Sequence, residues 1–264
     1  MPNPAPNPVE AFITTLDTTR PDAPTACVLW TAHEVTAHLA AALEETAELV
    51  EDVLNEQPNR PTRGFDEREA PYRALPDDDL RSTLPQMVTR ANMALSALAD
   101  RGPDASFEFF GRPFTAAQLQ RHAGSEFSLH RWDICGDDEI GEELLSAPEL
   151  TAHAVDVLNT LPMLDEAPAK RVARGGLSNA TIVLRSPGQP DVALVSGDGA
   201  AHFELSDGAP ITGDLVLRTD AVNRLLTLWG RYSPNRTISA SGDTTLLSVA
   251  TATLWPDTAS QPHL

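Results

Sequence analysis

Lysine is almost missing from this chain of 264 residues: Lys170 is its only one, and 19 basic side chains stand against 38 acidic ones, a formal net charge of -19. A surface that acidic repels phosphate backbones and anionic headgroups unless a local basic patch overrides the mean field. The arginines are scattered apart from Arg171 and Arg174 beside Lys170, so no such patch forms. Nucleic acid and membrane surfaces are therefore poor partners. Cysteine is scarce as well, with Cys27 and Cys135 alone, which argues against a disulfide scaffold and for a reduced, cytoplasmic protein. No apolar run approaches the roughly 18 residues of a spanning helix. The Pro- and Asn-rich start, Met1 to Val9, lacks the basic region and apolar core of a signal peptide. Aromatics make up only 5% of the chain, yet 41% of the residues are hydrophobic, enough to build real cores rather than a disordered polyanion.

The charge is unevenly spread along the chain. Residues 1–166 hold 30 acidic and 11 basic side chains, whereas residues 167–264 hold 8 of each. That asymmetry predicts two differently built domains, 1–166 and 167–264.

The first of these reads as helices with legible starts. Asn7-Pro8 opens a short helix, with proline at the first helical position where its missing N–H costs nothing. Thr31-Ala32-His33-Glu34 is a capping box at the head of a helix running to about Asn55, and Thr115-Ala116-Ala117-Gln118 is a second one, heading a helix that stops near Gly136. Leu84, Val88, Ala91, Leu95 and Leu98 mark another helix from about Asp79 to Asp100, with Pro85 either kinking it or marking its start. Residues 56–77 read as a polar loop or crossover, and residues 106–114 as a short extended arm. A third box, Ser146 to Glu149, predicts a fifth helix ending before Pro162. Antiparallel helices with modest loops make a bundle. After Pro168 short β-branched runs at residues 181–184, 192–195, 202–205, 215–218 and 237–240 alternate with Gly, Pro and Asp turns, and helices are predicted over residues 220–229 and 244–254. This half is α+β.

Seven histidines are present, and their facing decides their use. Glu126 and His130 lie four apart, about 40° around the helix axis, so both project from one face one turn apart, a spacing that suits a shared metal. Alone, such a pair is more often a solvated or hydrogen-bonded surface contact. His122 and Asp133 extend the same stripe. His38 falls on the inward stripe of Val35, Ala42, Leu49 and Val53, where a lone histidine is commonly a satisfied core residue. With Glu126 and His130 it completes a two-histidine, one-carboxylate set of the kind bundles use to hold a divalent ion with positions left open. A zincin motif fails, because H-E-x-x-H needs histidine where Ala37 stands. Asp133 is either an acceptor for a ligand histidine or a helix-end partner of Arg131 or Arg112. Cys27 and Cys135 read as packing residues, Cys135 at a helix C-terminus that disfavours a thiolate.

Three segments then carry a resemblance: Trp30-Thr-Ala-His-Glu-Val-Thr-Ala-His38-Leu, Ala123-Gly-Ser-Glu126-Phe-Ser-Leu-His130-Arg-Trp-Asp133, and Leu228-Trp-Gly-Arg231 with Ser241-Gly-Asp243. In order and spacing the chain resembles the mycothiol-dependent maleylpyruvate isomerase family from about residue 8 to 255. The resemblance implies a two-domain protein, an all-α DinB-like four-helix bundle over 1–166 followed by a small α+β domain related to sterol carrier proteins over 167–264. It implies a zinc or other divalent ion held by His38, Glu126 and His130, and an essential arginine at Arg231. It also implies mycothiol as cofactor, a small electrophilic substrate, and S-transfer to that substrate or its cis-trans isomerisation. A monomer or weak homo-oligomer is expected. A metal-dependent hydrolase and a non-catalytic module enclosing an apolar ligand are the rival readings.

Overall fold

The computed structural model describes residues 5–58, 60–160, 172–173, 175–197 and 200–255, and these fall into two compact units, Met1–Gly136 and Asp137–Leu264. The predicted helix end between Thr160 and Pro162 and the segment bearing Lys170 and Arg171 lie outside the described residues.

In the first unit, α1 (Pro8–Asp17) begins where expected, with the Asn7 side chain accepting the amide of Val9 at 2.9 Å. Both capping boxes form, at Thr31 for α2 (Ala32–Leu54) and at Thr115 for α5 (Ala116–Cys135). Gly136 closes α5 with a φ of 73°, a conformation open to glycine at little cost. α4 (Asp77–Ala99) includes Pro85 within its length, so the proline does not mark its start. Three aspartates, Asp77 to Asp79, begin α4 and complement the positive end of its dipole. α2 packs along α4 and α1 along α5. The core between them is led by Phe12, Leu39, Leu80, Leu98 and Phe127, with Phe12 and Phe127 edge to face at 5.4 Å between ring centres. Arg101 donates to the Val53 and Leu54 carbonyls, supplying partners to the unpaired end of α2.

Two elements of this unit differ from the sequence reading. Residues 65–73 form a helix, α3 (Phe65–Arg73), inside the stretch expected to be loop; it is almost wholly polar and contains Pro71, which hides its period. The extended arm is a hairpin, β1 (Ser106–Phe109) paired with β2 (Arg112–Thr115). At its tip Phe110 takes a φ of 49° ahead of Gly111 at 77°, as a two-residue turn with both residues left-handed requires.

The second unit opens with two helices, α6 (Glu139–Leu145) and α7 (Pro148–Thr160), and a five-stranded sheet in the order β5-β4-β3-β6-β7. Its strands are β3 (Ala180–Arg185), β4 (Val192–Gly197), β5 (Ala200–Leu205), β6 (Leu215–Arg218) and β7 (Ser239–Gly242). Neighbours are antiparallel except β3 and β6, which run parallel with Ile182 opposite Leu215. α8 (Ala221–Leu228) follows β6, and α9 (Leu247–Leu254) follows a 3-10 turn. The expected strand over 237–240 forms two residues later. The third capping box does not form. Ser146 instead ends α6, its hydroxyl directed at the Glu143 carbonyl.

α7 belongs to the sheet. Asn159 donates to the Phe203 carbonyl at 2.7 Å and accepts the Phe203 amide at 2.8 Å, so its side chain extends the hydrogen bonding of β5. Buried Arg224 of α8 reaches back to Thr151 of α7, and burial lowers its pKa to about 10. Arg236 binds Asp137, Glu142 and the α8 cap Asp220 together. The compact units thus divide after Gly136, some thirty residues before the boundary drawn at 166/167 from charge. Counted by compact unit, the first holds 21 acidic and 11 basic residues and the second 17 and 8, giving -10 and -9. The charge step in the sequence follows the acidic helices α6 and α7, which fold with the nearly neutral sheet.

Candidate metal centre

Helix α2 places His38 and helix α5 places Glu126 and His130 so that their side chains meet inside the bundle. His38 is 6% exposed and His130 is 5% exposed. The Nε2 atoms of both rings converge on one oxygen, Glu126 Oε2, at 3.3 Å for His38 and 3.6 Å for His130. One ligand atom from each of the three lies within 4.8 Å of the others.

The far side of each ring is fixed. His38 Nδ1 lies 2.7 Å from Glu69 Oε1, and His130 Nδ1 lies 2.8 Å from Asp133 Oδ2. Carboxylates only accept, so each Nδ1 carries the donated proton. A ring that is neutral is then the tautomer whose Nε2 lone pair points at Glu126. Glu69 is fully buried and shared with Arg73, whose Nη2 donates to it at 2.6 Å. Burial raises the Glu69 carboxyl pKa, but the His38 hydrogen bond and charge, with Arg73 and Arg68, hold it below the usual carboxylate range.

Two such lone pairs and a carboxylate oxygen would repel one another in an apolar interior unless a cation or a proton joined them. A proton shared between His130 Nε2 and Glu126 meets the same demand. Burial pushes Glu126 up and His130 down, yet their mutual hydrogen bonds, with those of Asp133, Cys27 and His38, hold Glu126 well below the carboxylate range and His130 well above the imidazole range. The donor set, two imidazoles and a carboxylate oxygen with anionic groups behind the rings, is one that fits a divalent transition metal.

Aromatic rings wall the cluster. Trp30, just before the α2 cap, lies 5.0 Å from the His38 ring and 6.0 Å from the His130 ring, and Phe65 stacks on His38 at 6.0 Å.

A family model for the mycothiol maleylpyruvate isomerase N-terminal domain matches residues 7–135, and one for the C-terminal domain of the same proteins matches residues 149–248. The chain belongs to the mycothiol-dependent maleylpyruvate isomerase family. Its fold is similar to the crystal structure of the mycothiol-dependent maleylpyruvate isomerase, at 16% identity and a TM-score of 0.61 over 88% of each chain. The same figures hold for a variant of that enzyme with a histidine replaced by alanine. No curated protein sequence matches. The N-terminal family model ends beside Gly136, where the first compact unit ends.

Within this member of the mycothiol-dependent maleylpyruvate isomerase family, the remaining sequence candidates separate clearly. Arg231 lies just beyond α8 in the second unit, half-buried, with Nη1 directed at the Trp229 carbonyl at 3.4 Å. His122 stands beside Phe109 at 6.4 Å, and burial holds it below the ordinary imidazole range. His33 pairs with Asp77 at 3.1 Å, turned to α4. Cys27 departs from the packing role expected of it: its Sγ donates to Asp133 Oδ2 at 3.1 Å, and Cys27, His130 and Asp133 form a second close group of potential ligand atoms. Cys135 donates to the Arg131 carbonyl at the helix end. Sequence reasoning missed Glu69 and its neighbour Arg68, because both lie on α3. The Phe65-x-x-Arg68-Glu69 spacing on one face of a short helix was the only available signal.

Proposed function

We propose that this chain is a metal-dependent enzyme that uses a low-molecular-weight thiol, mycothiol, to isomerise a small electrophile or to transfer sulfur to it. The observation carrying this reading is the convergence of His38 Nε2 and His130 Nε2 on a single oxygen of Glu126, with both Nδ1 atoms held by buried carboxylates. His38, Glu126 and His130 would hold the ion, zinc being the metal best matched to two imidazoles and one carboxylate with a position left open. When bound, the ion supplies Lewis acidity and keeps a sulfur ligand as thiolate at neutral pH, the form that adds reversibly to an activated double bond or displaces a leaving group.

The chain's own residues do the rest. Glu69 and Asp133 orient the rings and raise their basicity through the Nδ1 protons. Half-buried Trp30 and exposed Phe65 flank the cluster and offer an apolar rim to a substrate. Arg231 serves as the guanidinium that receives a substrate carboxylate or an enolate oxygen. Against the hydrolase reading, Asp133 already accepts from His130 and Cys27 and is not placed to deprotonate a water.

The test is metal analysis of the purified chain together with mycothiol consumption against a panel of electrophiles, wild type beside His130→Ala. Roughly one divalent ion per chain and thiol turnover abolished by the substitution are expected. A metal-free protein with turnover indifferent to His130→Ala sinks the proposal.

A further inference from the structure

Arg68 is a buried cation with nothing assigned to it. The residue is 3% exposed, and its Nε and Nη1 atoms have no hydrogen-bond partner. Its guanidinium lies 4.6 Å over the Phe65 ring and 5.5 Å over the Phe110 ring. Contact with ring faces offsets only part of the cost of taking a charge out of water. The carboxylates nearest in charge, Glu45, Glu69 and Glu126, draw on Arg68 only at range. Each is already engaged: Glu45 by Arg60 and Arg63, Glu69 by His38 and Arg73, Glu126 by the two imidazoles. Arg68 is the positive charge these pairings leave over.

Its position gives that charge a use. Phe65 lies close to both Arg68 and His38, its ring centre 4.6 Å from the guanidinium carbon and 6.0 Å from the imidazole centre, so the two groups are at most 10.6 Å apart. That is a span a small organic acid bridges. Phe110, the second ring, keeps a left-handed φ of 49° that a non-glycine residue adopts only at a cost, and its amide is pinned to Thr62 Oγ1 at 2.8 Å. The hairpin tip thus holds an aromatic ring where an unstrained glycine would leave the guanidinium uncovered. A buried planar guanidinium with unmet N–H donors beside aromatic rings is matched by a carboxylate.

We propose that Arg68, framed by Phe65 and Phe110, binds a carboxylate of the electrophilic substrate beside the His38, Glu126 and His130 cluster. The word substrate rests on the function proposed above; the anion site itself does not.

The test is calorimetric titration of maleate, and separately of its uncharged dimethyl ester, into the full-length protein with and without added zinc. Wild type is compared with Arg68→Met and Arg68→Lys, and metal content is measured on each. Maleate is expected to bind wild type and to bind Arg68→Met at least tenfold more weakly, with metal content unchanged. Arg68→Lys, which keeps the charge and loses the planar donors, is expected to fall between them. The ester is expected not to bind. Equal maleate affinity in wild type and either variant overturns the proposal, as does ester binding that matches maleate. Arg68→Met keeps the apolar stem and removes a buried charge; if it does not fold, as judged by circular dichroism, Arg68→Lys carries the decision alone. Arg68-dependent maleate binding in a protein that takes up no metal keeps the anion site and removes the function proposed above. Metal uptake with maleate affinity indifferent to Arg68 does the reverse.

Discussion

Glu69 Oε1 lies 2.7 Å from His38 Nδ1, although the two residues belong to different helices and stand 31 positions apart in the chain. The contact makes α3 part of the candidate metal centre. A carboxylate behind a ligand imidazole fixes its tautomer and strengthens it as a donor, and losing such a partner costs about 10–100-fold in metal affinity. Glu69→Gln keeps the volume and removes the charge. Zinc affinity measured by competition with a chromophoric chelator is expected to fall about tenfold or more, with the helical circular dichroism unchanged. Unaltered affinity refutes the role.

The centre was partly legible in the sequence. His38, Glu126 and His130 sit on long, well-capped helices, so the 3.6-residue period alone says which way they face. Glu69 and Arg68 sit on nine residues whose polar composition and internal Pro71 imitate a loop. Nothing local announces that such a segment docks against α2. The strands were legible from β-branched runs between turns, and β7 slipped only because Ser239 to Gly242 carries no large apolar residue. The domain boundary was misplaced for a different reason. Charge records composition, while Asn159 and Arg224 decide where α7 packs.

The α2 cap sits one residue after Trp30. Thr31 Oγ1 accepts the Glu34 amide while Glu34 Oε2 accepts the Thr31 amide at 2.7 Å, and that backbone bond draws the Glu34 pKa down. Thr31→Ala removes one half of this box. A loss of about 1 kcal/mol in urea denaturation is expected, with the spectral environment of Trp30 changed. A variant as stable as wild type contradicts the cap's contribution.

Acid should weaken the sheet through Asp191. The Arg185 bridge holds its pKa below the ordinary value against the opposing effect of burial, with help from the Ile211 amide. A folded pKa below the unfolded one contributes stability that is complete above the unfolded pKa, about 3.9, and lost as pH falls through the folded value. Unfolding free energy is thus expected to decline below about pH 4.5. Asp191→Asn should lower stability at pH 7 by about 1–3 kcal/mol and shrink the acid-dependent part. Identical pH profiles for the two proteins rule out Asp191 as the source.

Gly242 has a φ of 102°, and a Cβ there would meet the Asp214 carbonyl oxygen at 2.3 Å. Gly242→Ala therefore combines a disfavoured backbone with a clash against backbone that cannot yield cheaply. A loss of more than about 2 kcal/mol is expected by chemical denaturation, with fastest hydrogen exchange along β6 and β7. A loss within about 0.5 kcal/mol is the contrary result.

The position of α3 also bears on how such a protein diversifies. Its cap, Gly64, makes no side-chain bond, and the helix is distinct from α2 and α5, which carry the His38, Glu126 and His130 cluster. Arg68, Glu69 and Tyr72 of this helix are buried, and a change at Glu69 or Arg68 alters the ring-orienting carboxylate or the buried arginine directly. Chemistry at the cluster can therefore be retuned through one nine-residue helix without touching His38, Glu126 or His130 themselves.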